Sequence, residues 1–597
     1  MDGKKLEFKG EEALRELERL TTNARELQEA ILRDIISRNK ETEYLRKYMM
    51  GAEDISKFKS MVPIVTYEHV QPYIERISNG EDSSIISGHP IVEMLRSSGT
   101  TRGKPRLMPS IAEDLDRRTY MYNLLMPIMS KYMPGLDKGK VMHLLFIKAE
   151  TILPYGMPAR SVLTSYYKSD HFRCREPDPF NNLTSPNEVI LCPDSRQSMY
   201  CQLLSGLIHR HSVLRLGAVF ASALLRSITF LEQNWRELAN DIRLGQLNPS
   251  ITDQACRAAM SHMLVSPNLT IADEIESICN KASWRGILVH LWPKVKCIEA
   301  VLTGTMAQYI PMLEFYSGGG IPLVCTMYAS SESYFGVNLN PLCHPNDVSY
   351  TLLPNMAYLE FIELDNGLRC GNEEEVQKEK VIGLVDVKVG KYYEIVVTTF
   401  AGLYRYRVGD VLQVTGFYNN APQFKFICRR NVILSIDLDK TNEEDLHKSI
   451  TVAKEILEKQ NYLLTEYTSY ADSSSVPGHY VLFWEIKLMS EKLESGKAQS
   501  LVHPELIEGC CIAIEESLDY VYRRCRTNDR SVGPLEIRLL EYGTFEALMD
   551  LLISQGSSIN QYKTPRCVEP GPALDLLNSK VMGSFFSPKD PTWNAGL

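Results

Sequence analysis

Three short stretches hold the residue types that handle phosphates, divalent cations and ribose. The first is Ser97-Ser98-Gly99-Thr100-Thr101-Arg102-Gly103-Lys104-Pro105-Arg106, where small hydroxyl residues and glycines meet three cations. Backbone N–H groups in such a loop can surround phosphate oxygens. It is not a Walker A loop: three residues rather than four separate Gly99 from Gly103, and Pro105 follows Lys104 where Ser or Thr is required. A plain polar turn explains it equally well. The second is Tyr328-Ala329-Ser330-Ser331-Glu332, after the apolar run Ile321–Met327, which reads as a buried strand. Hydroxyl residues just past a strand end lie where α/β folds bind ligands, and Glu332 there suits Mg²⁺. A strand end with a surface glutamate is the plainer alternative. The third is Tyr404-Arg405-Tyr406-Arg407-Val408-Gly409-Asp410. A carboxylate on a tight glycine turn accepts hydrogen bonds from ribose hydroxyls, and the same pattern makes an ordinary hairpin turn.

The elements that must position these residues follow from periodicity. Residues 11–48 predict helix, with Leu14, Leu17, Leu20, Leu27, Ile31 and Ile35 at helical spacing. Helical patterns at Thr119–Tyr132, Gln197–Arg210 and Ala218–Glu237 alternate with short apolar runs at Val141–Ile147 and Gly286–Leu291. That alternation predicts an α/β arrangement. Between Val381 and Phe426 the period falls to two: Val385, Val387 and Val389, then Tyr393, Ile395 and Val397 across a Gly390 turn, then a turn at Arg407–Asp410 before Val411–Thr415. This reads as a β-rich subdomain of hairpins. Gly367–Lys380 is charged and reads as a disordered surface loop. Beyond Arg429 come a strand at Val432–Ile436, a capping box Thr441–Glu444 opening a helix, strands at Tyr480–Ile486 and Leu535–Leu540, and helices at Pro504–Arg523 and Phe545–Ser554. The expected fold is α/β, with a large N-terminal domain over 1–433 and a smaller α+β C-terminal domain over 434–597.

Composition narrows the function classes. The chain has 597 residues, 44% hydrophobic and 23% charged, which is ordinary for a globular protein long enough for two or more domains. Its 74 acids against 65 bases give a net charge of −9, which disfavours wrapping nucleic acid or an anionic membrane. The most apolar stretch, Leu216–Leu225, is bounded by Arg215 and Arg226 and falls short of the roughly 20 residues of a membrane span. The charged N-terminus does not resemble a signal peptide. The 14 cysteines contain no C-x-x-C pair, and they read as reduced thiols of a cytoplasmic protein. The sequons at Asn182 and Asn268 then carry no meaning.

The order of the three motifs, followed by a small C-terminal domain, resembles the adenylate-forming ligases. Within that class the chain closely resembles the plant acyl acid amido synthetases, the Gretchen Hagen family. The likeness continues through LTSYYKS (Leu163–Ser169), QYIPMLEFYS (Gln308–Ser317), TMYASSE (Thr326–Glu332), SYTLLPNMAYLEF (Ser349–Phe361), EYTSYADSSSVPGHYVLFWE (Glu466–Glu485) and INQYKTPRC (Ile559–Cys567). LTSYYKS, YASSE and SINQYKTPRC are most similar to the auxin-conjugating branch.

The resemblance implies a firefly luciferase-like architecture and a two-step reaction. ATP and a carboxylic acid give an acyl-adenylate and pyrophosphate, and an amino acid then attacks to release an amide and AMP. By position, Ser97, Ser98, Gly99 and Thr100 contact the phosphates, Tyr328, Ser330 and Ser331 line the adenylate site, and Asp410 binds ribose. Glu332 holds Mg²⁺, and Lys563 reaches the α-phosphate, although a solvated lysine beside a proline turn has the same appearance. Arg430 and Arg106 stand where relatives often have lysine, which keeps the charge and alters the geometry. For the acyl acid, relatives point to Val162, Leu163, Met327, Ala329 and Tyr334, apolar or aromatic side chains able to sandwich an indole ring; core packing is the bland reading of Val162 and Met327. Arg117 is the candidate for the acid's carboxylate or the phosphates, against an exposed helix arginine. Lys148 is the candidate for the amino acid carboxylate. The expected substrates are indole-3-acetic acid and aspartate or glutamate, with ATP and Mg²⁺. A jasmonate or benzoate in the same chemistry, or a non-catalytic ATP- or hormone-binding protein, are the alternatives. The sequence leaves the oligomeric state open.

Overall fold

The computed structural model describes residues 10–101, 104–148, 150–364, 380–429, 432–436, 439–475, 477–489, 502–555 and 562–593. Two compact units are present, one built mainly from residues up to 427 and the other mainly from 428 onward. Both mix helices and sheets, in keeping with an α/β protein with β-rich parts.

In the first unit a parallel sheet orders its strands Lys140–Leu144, Val213–Phe220, Cys297–Val301 and Leu323–Val324. Val213–Phe220 is buried over its first six residues, the pattern of a strand covered on both faces. It therefore contains a charged exception that must be paired. Arg215 makes a bidentate ion pair with Glu299 on the next strand, Nη2 donating to Oε2 at 3.1 Å, and His143 Nε2 lies 3.3 Å from the same carboxylate. Burial pushes the Glu299 carboxyl up, but Arg215 and then His143 outweigh it and hold it well below the usual range. Gly217 makes this close pairing feasible, since a Cβ there would meet the Glu299 carbonyl oxygen at 2.2 Å.

An eight-stranded sheet follows, in the order Val381–Gly383, Tyr358–Leu364, Tyr392–Thr398, Tyr406–Tyr418, Ala421–Arg429, Tyr350–Leu352, Tyr334–Asn338 and Met327–Ala329. A third sheet pairs Lys104–Ile111 with Ile91–Thr101, then Pro158–Arg160 and Thr151–Ile152. The second unit has a sheet ordered Tyr462–Asp472, His479–Leu488, Glu536–Leu540 and Val581–Phe586. Its core gathers Leu446, Ile450, Leu482, Trp484, Ile514 and Tyr522, all at 0% exposure.

Several expectations need correction. Residues 11–48 form three helices, Glu11–Thr22, Ala24–Asn39 and Glu43–Met49, because Asn23 leaves helical geometry and Thr42 caps the third helix by accepting from Leu45 N. The expected Thr119–Tyr132 helix begins earlier, at Glu113. Ala218 belongs to the Val213–Phe220 strand, so the following helix is Ala221–Leu244. Gly286–Leu291 contains a helix, Ile287–Leu291, and the strand comes later at Cys297–Val301. The Ile321–Met327 run is two strands in two sheets. Val385 and its neighbours lie in a 3-10 turn, Leu384–Asp386, instead of a strand. The cap of the Glu443–Lys459 helix is Asn442, whose side chain accepts from Asp445 N at 2.9 Å; Thr441 is still in a strand. Pro504–Arg523 divides into Pro504–Ser517 and Tyr520–Thr527. Tyr462–Asp472 and Val581–Phe586 were not anticipated as strands. The loop expected at Gly367–Lys380 falls, except for Lys380, outside the described residues. No described helix is long and apolar enough to cross a membrane.

Candidate functional site

The Ser97–Arg106 stretch is the end of a β-hairpin. Thr101 pairs with Lys104 and Thr100 with Pro105, while Arg96 pairs with Leu107. Three residues, Ser97 to Gly99, therefore oppose the single Arg106, an irregularity that interrupts the ladder. Ser97 is buried; the side chains of Ser98 and Thr100 lie outside the description, as does Arg430. Arg106 is 3.7 Å from Glu68 and lies over the Tyr67 ring, so its charge is partly met within the fold.

The second and third motifs meet. Met327–Ala329 and Tyr334–Asn338 form a hairpin whose turn is closed by Ser330 N donating to the Ser333 carbonyl at 2.8 Å. The YASSE segment is thus the end of a strand, Tyr328 and Ala329, and the turn after it, so Ser330, Ser331 and Glu332 lie just past a strand end as expected. Within the turn Glu332 N donates to Ser330 Oγ at 3.2 Å. Asp410 sits in a bulge of the continuous Tyr406–Tyr418 strand, correcting the expected hairpin turn: Glu394 pairs with Val411 and Val396 with Arg407, leaving three residues against one. Gly409 at φ +85° makes that bulge, a conformation that suits glycine. The bulge brings Asp410 Oδ2 to 2.6 Å from the Tyr328 hydroxyl, which donates to it, and both residues are buried. The Tyr328 ring stacks on Phe335 at 4.9 Å. The two arginines of the third motif are structural: Arg405 is bidentate to Glu360 at 2.8 and 3.0 Å, and Arg407 to Glu394 at 3.0 and 2.6 Å.

The acyl-acid candidates separate. Tyr334 is buried, its hydroxyl 2.8 Å from that of Tyr122, and Tyr122 packs on Tyr166 at 4.8 Å. Burial raises the Tyr334 phenol, and Arg118 pulls it back. Val162 begins the Val162–Lys168 helix and is buried. Leu163 packs with Leu145, Ile147, Tyr167 and Phe172 in a core cluster. Met327 is half-buried and Ala329 exposed.

Arg117 is committed elsewhere. Its guanidinium bonds Asp114 at 2.8 Å and Glu113 at 3.0 Å and lies 3.7 Å above the Phe400 ring. Its neighbour Arg118, which the motif reading missed, is 6% exposed and donates to Ser165 Oγ and Ser110 Oγ, both at 3.3 Å. It has no carboxylate ion pair among the described residues. A buried guanidinium with only hydroxyl partners invites an anion. Helical spacing carried the signal, because Arg118 lies on the face of buried Met121 and Met129.

Lys148 is half-buried and has no ion pair among the described residues. Burial, then repulsion from Arg96, lowers its ammonium to about 8. Lys563 is exposed between buried Tyr562 and Thr564 in the second unit.

This arrangement can be set beside known proteins. Models described as the GH3 family N-terminal, central and C-terminal domains match residues 13–323, 350–429 and 444–572. A protein of Oryza sativa subsp. japonica named "Probable indole-3-acetic acid-amido synthetase GH3.11" is 69% identical over 592 residues, 99% of each chain. The Arabidopsis thaliana protein named "Indole-3-acetic acid-amido synthetase GH3.17" is 56% identical over 98% of this chain and 97% of its own. A solved structure described as "GH3.15 acyl acid amido synthetase" has 48% sequence identity and a TM-score of 0.89, covering 97% of this chain and 98% of that one. With every domain matched in order and the likeness running from end to end, the chain belongs to the GH3 family.

Proposed function

We propose that this chain is an ATP-dependent ligase that joins indole-3-acetic acid to the amine of an amino acid through an acyl-adenylate, thereby lowering free auxin. The observation that carries this reading is the full-length 69% identity to a relative named for that activity. The acid's carboxylate attacks the α-phosphorus of ATP and pyrophosphate leaves. The amine then attacks the acyl carbon, loses a proton, and AMP leaves. No protein nucleophile is needed; the protein neutralises charge and orients the reactants.

Asp410, held by the Tyr328 hydroxyl at 2.6 Å, is the acceptor for ribose. Ser97, Ser98, Gly99 and Thr100 serve the phosphates, with Ser330 and Ser331 beside them. The half-buried Glu332 carboxylate has no ion pair among the described residues, so it fits a Mg²⁺ ligand, and a bound Mg²⁺ would offset negative charge on the phosphates. Tyr334, Val162 and Met327 form the wall for the indole ring, and Arg118 takes the carboxylate role expected of Arg117. Lys148 faces the amino acid carboxylate, with aspartate or glutamate as the preferred acceptor. Lys563 serves the α-phosphate during adenylation, assisted by the charge of Arg430. Residues 1–433 form the ATP- and acid-binding domain and 434–597 a domain that moves between the half-reactions. The setting we assign is the cytoplasm.

The test is acid-dependent pyrophosphate release with ATP and Mg²⁺, offering indole-3-acetate, a jasmonate and a benzoate, each with and without amino acids. Release with indole-3-acetate and an amide product by mass is the expected result. Release with another acid alone overturns the substrate, and release with none overturns the activity.

A further inference from the structure

We infer that Glu466 is a positioning residue for Lys563, fixing the backbone from which that lysine extends; this rests on the proposed role of Lys563 in adenylation. Residues 562–568 lie against the Tyr462–Asp472 strand as an added, parallel edge. Ser469 N donates to the Arg566 carbonyl at 2.9 Å, and Val568 N to the Ser469 carbonyl at 2.9 Å. Thr468 Oγ1 donates to the Pro565 carbonyl at 2.5 Å. Side chains alternate along this edge, with Tyr562, Thr564 and Arg566 buried and Lys563 exposed.

One carboxylate holds two of the buried positions. Glu466 Oε2 accepts from Thr564 Oγ1 at 2.7 Å, and Oε1 accepts from Arg566 Nη1 at 2.8 Å. The same Oε1 accepts from Tyr467 N at 2.9 Å, and Arg566 Nη1 also donates to the Tyr467 carbonyl at 2.5 Å. The guanidinium lies 4.3 Å from the Tyr467 ring centroid. Glu466 thus clamps the residues one and three positions after Lys563. A lysine side chain has four rotatable bonds, so where its amine can reach depends on where its Cα is held. The adjacent strand and this clamp supply that constraint without touching a substrate.

The experiment is a double-mutant cycle on the full-length protein, comparing wild type, Lys563→Ala, Glu466→Gln and the double variant. Two rates are read: single-turnover acyl-adenylate formation, and amide formation from supplied acyl-adenylate. Glu466→Gln is expected to slow adenylation by ~10–100-fold, the scale of small misplacements of a reacting group. It should leave ATP affinity and amide formation within about twofold, and should add no further loss in the Lys563→Ala background. Equal slowing of both half-reactions, or the same loss with and without Lys563, overturns the positioning role. Full adenylation by Lys563→Ala is a different signature: it overturns the role of Lys563 itself, and this inference with it. Should Glu466→Gln fail to fold, Arg566→Lys supplies the same cycle, since it keeps the charge and removes the Nη1 that donates to both Glu466 and the Tyr467 carbonyl.

Discussion

A helix turns by about 100° per residue, so neighbouring side chains face different surroundings, and Arg117 and Arg118 show the consequence. Arg117 is spent on Asp114, Glu113 and Phe400, while Arg118 is buried with two hydroxyl partners. The motif resemblance pointed at the first; the helical face points at the second. Lys148 offers a titration test at the same scale. Burial and then Arg96 lower its ammonium to about 8, so it is charged below that pH and neutral above it. An amino acid substrate is a poor probe, because its own amine must lose a proton to react. A dicarboxylate lacking the amine, such as glutarate, isolates the cation. Its inhibition constant against glutamate should rise above pH 8, approaching tenfold per pH unit where Lys148 alone supplies the charge. In Lys148→Met the inhibition constant should be high and flat. A wild-type constant that stays level from pH 7 to pH 9.5 removes Lys148 from the amino acid site.

Among the elements, what periodicity could and could not convey has physical causes. Val141–Leu144 and Tyr480–Ile486 were legible as strands because their apolar side chains are buried, whereas Leu145–Ile147, equally apolar and buried, lie past the strand that ends at Leu144. The run at 287–291, four apolar residues and His290, was not legible, because a short apolar run is compatible with either a helix or a strand. Of the Ile321–Met327 run only Leu323, Val324 and Cys325 are buried, and the chain crosses from one sheet to another within it, which a run of apolar residues does not convey. Gly409 signalled a left-handed residue, and both a turn and a bulge use one. Tyr328 and Asp410 could each be picked out locally, but their hydrogen bond spans 82 residues and is created by sheet register. A strand in the second unit yields a stability prediction of the same kind. Glu485, on His479–Leu488, accepts from Phe545 N at 3.1 Å at the start of the Thr544–Ser554 helix. Burial outweighs that helix terminus and raises its carboxyl from 4.5 to about 7. The folded state therefore binds more protons than the unfolded between those values, and stability falls as pH rises from 4.5 through 7. Glu485→Gln keeps an acceptor for Phe545 and cannot ionise. It should be more stable than wild type by about 1–3 kcal/mol at pH 8, the free energy of holding a proton more tightly in the folded state, with no gain at pH 4.5. Denaturant melts at the two pH values decide it, and an equal change at both would place the cause in packing.

At the scale of the whole molecule, two units with separate cores imply two unfolding events. The core around Trp484, Ile514 and Tyr522 belongs to the second unit, whereas the buried Arg215–Glu299 pair and the Tyr328–Asp410 bond belong to the first. Scanning calorimetry should resolve two transitions, since cooperative unfolding follows the core that is shared. Trp484→Phe, which removes volume at a fully buried position, should lower one transition by about 1–3 kcal/mol and so assign it to the second unit. A non-hydrolysable acyl-adenylate analogue at a hundred times its dissociation constant should then raise the other transition by ~2.7 kcal/mol, because a ligand stabilises the unit that binds it. The residues proposed as ribose acceptor, Mg²⁺ ligand and aromatic wall all lie in the first unit, so that unit must register the ligand. A shift confined to the transition that Trp484→Phe lowers would put the adenylate site in the wrong unit. A single transition moving as one would mean that the two cores unfold together.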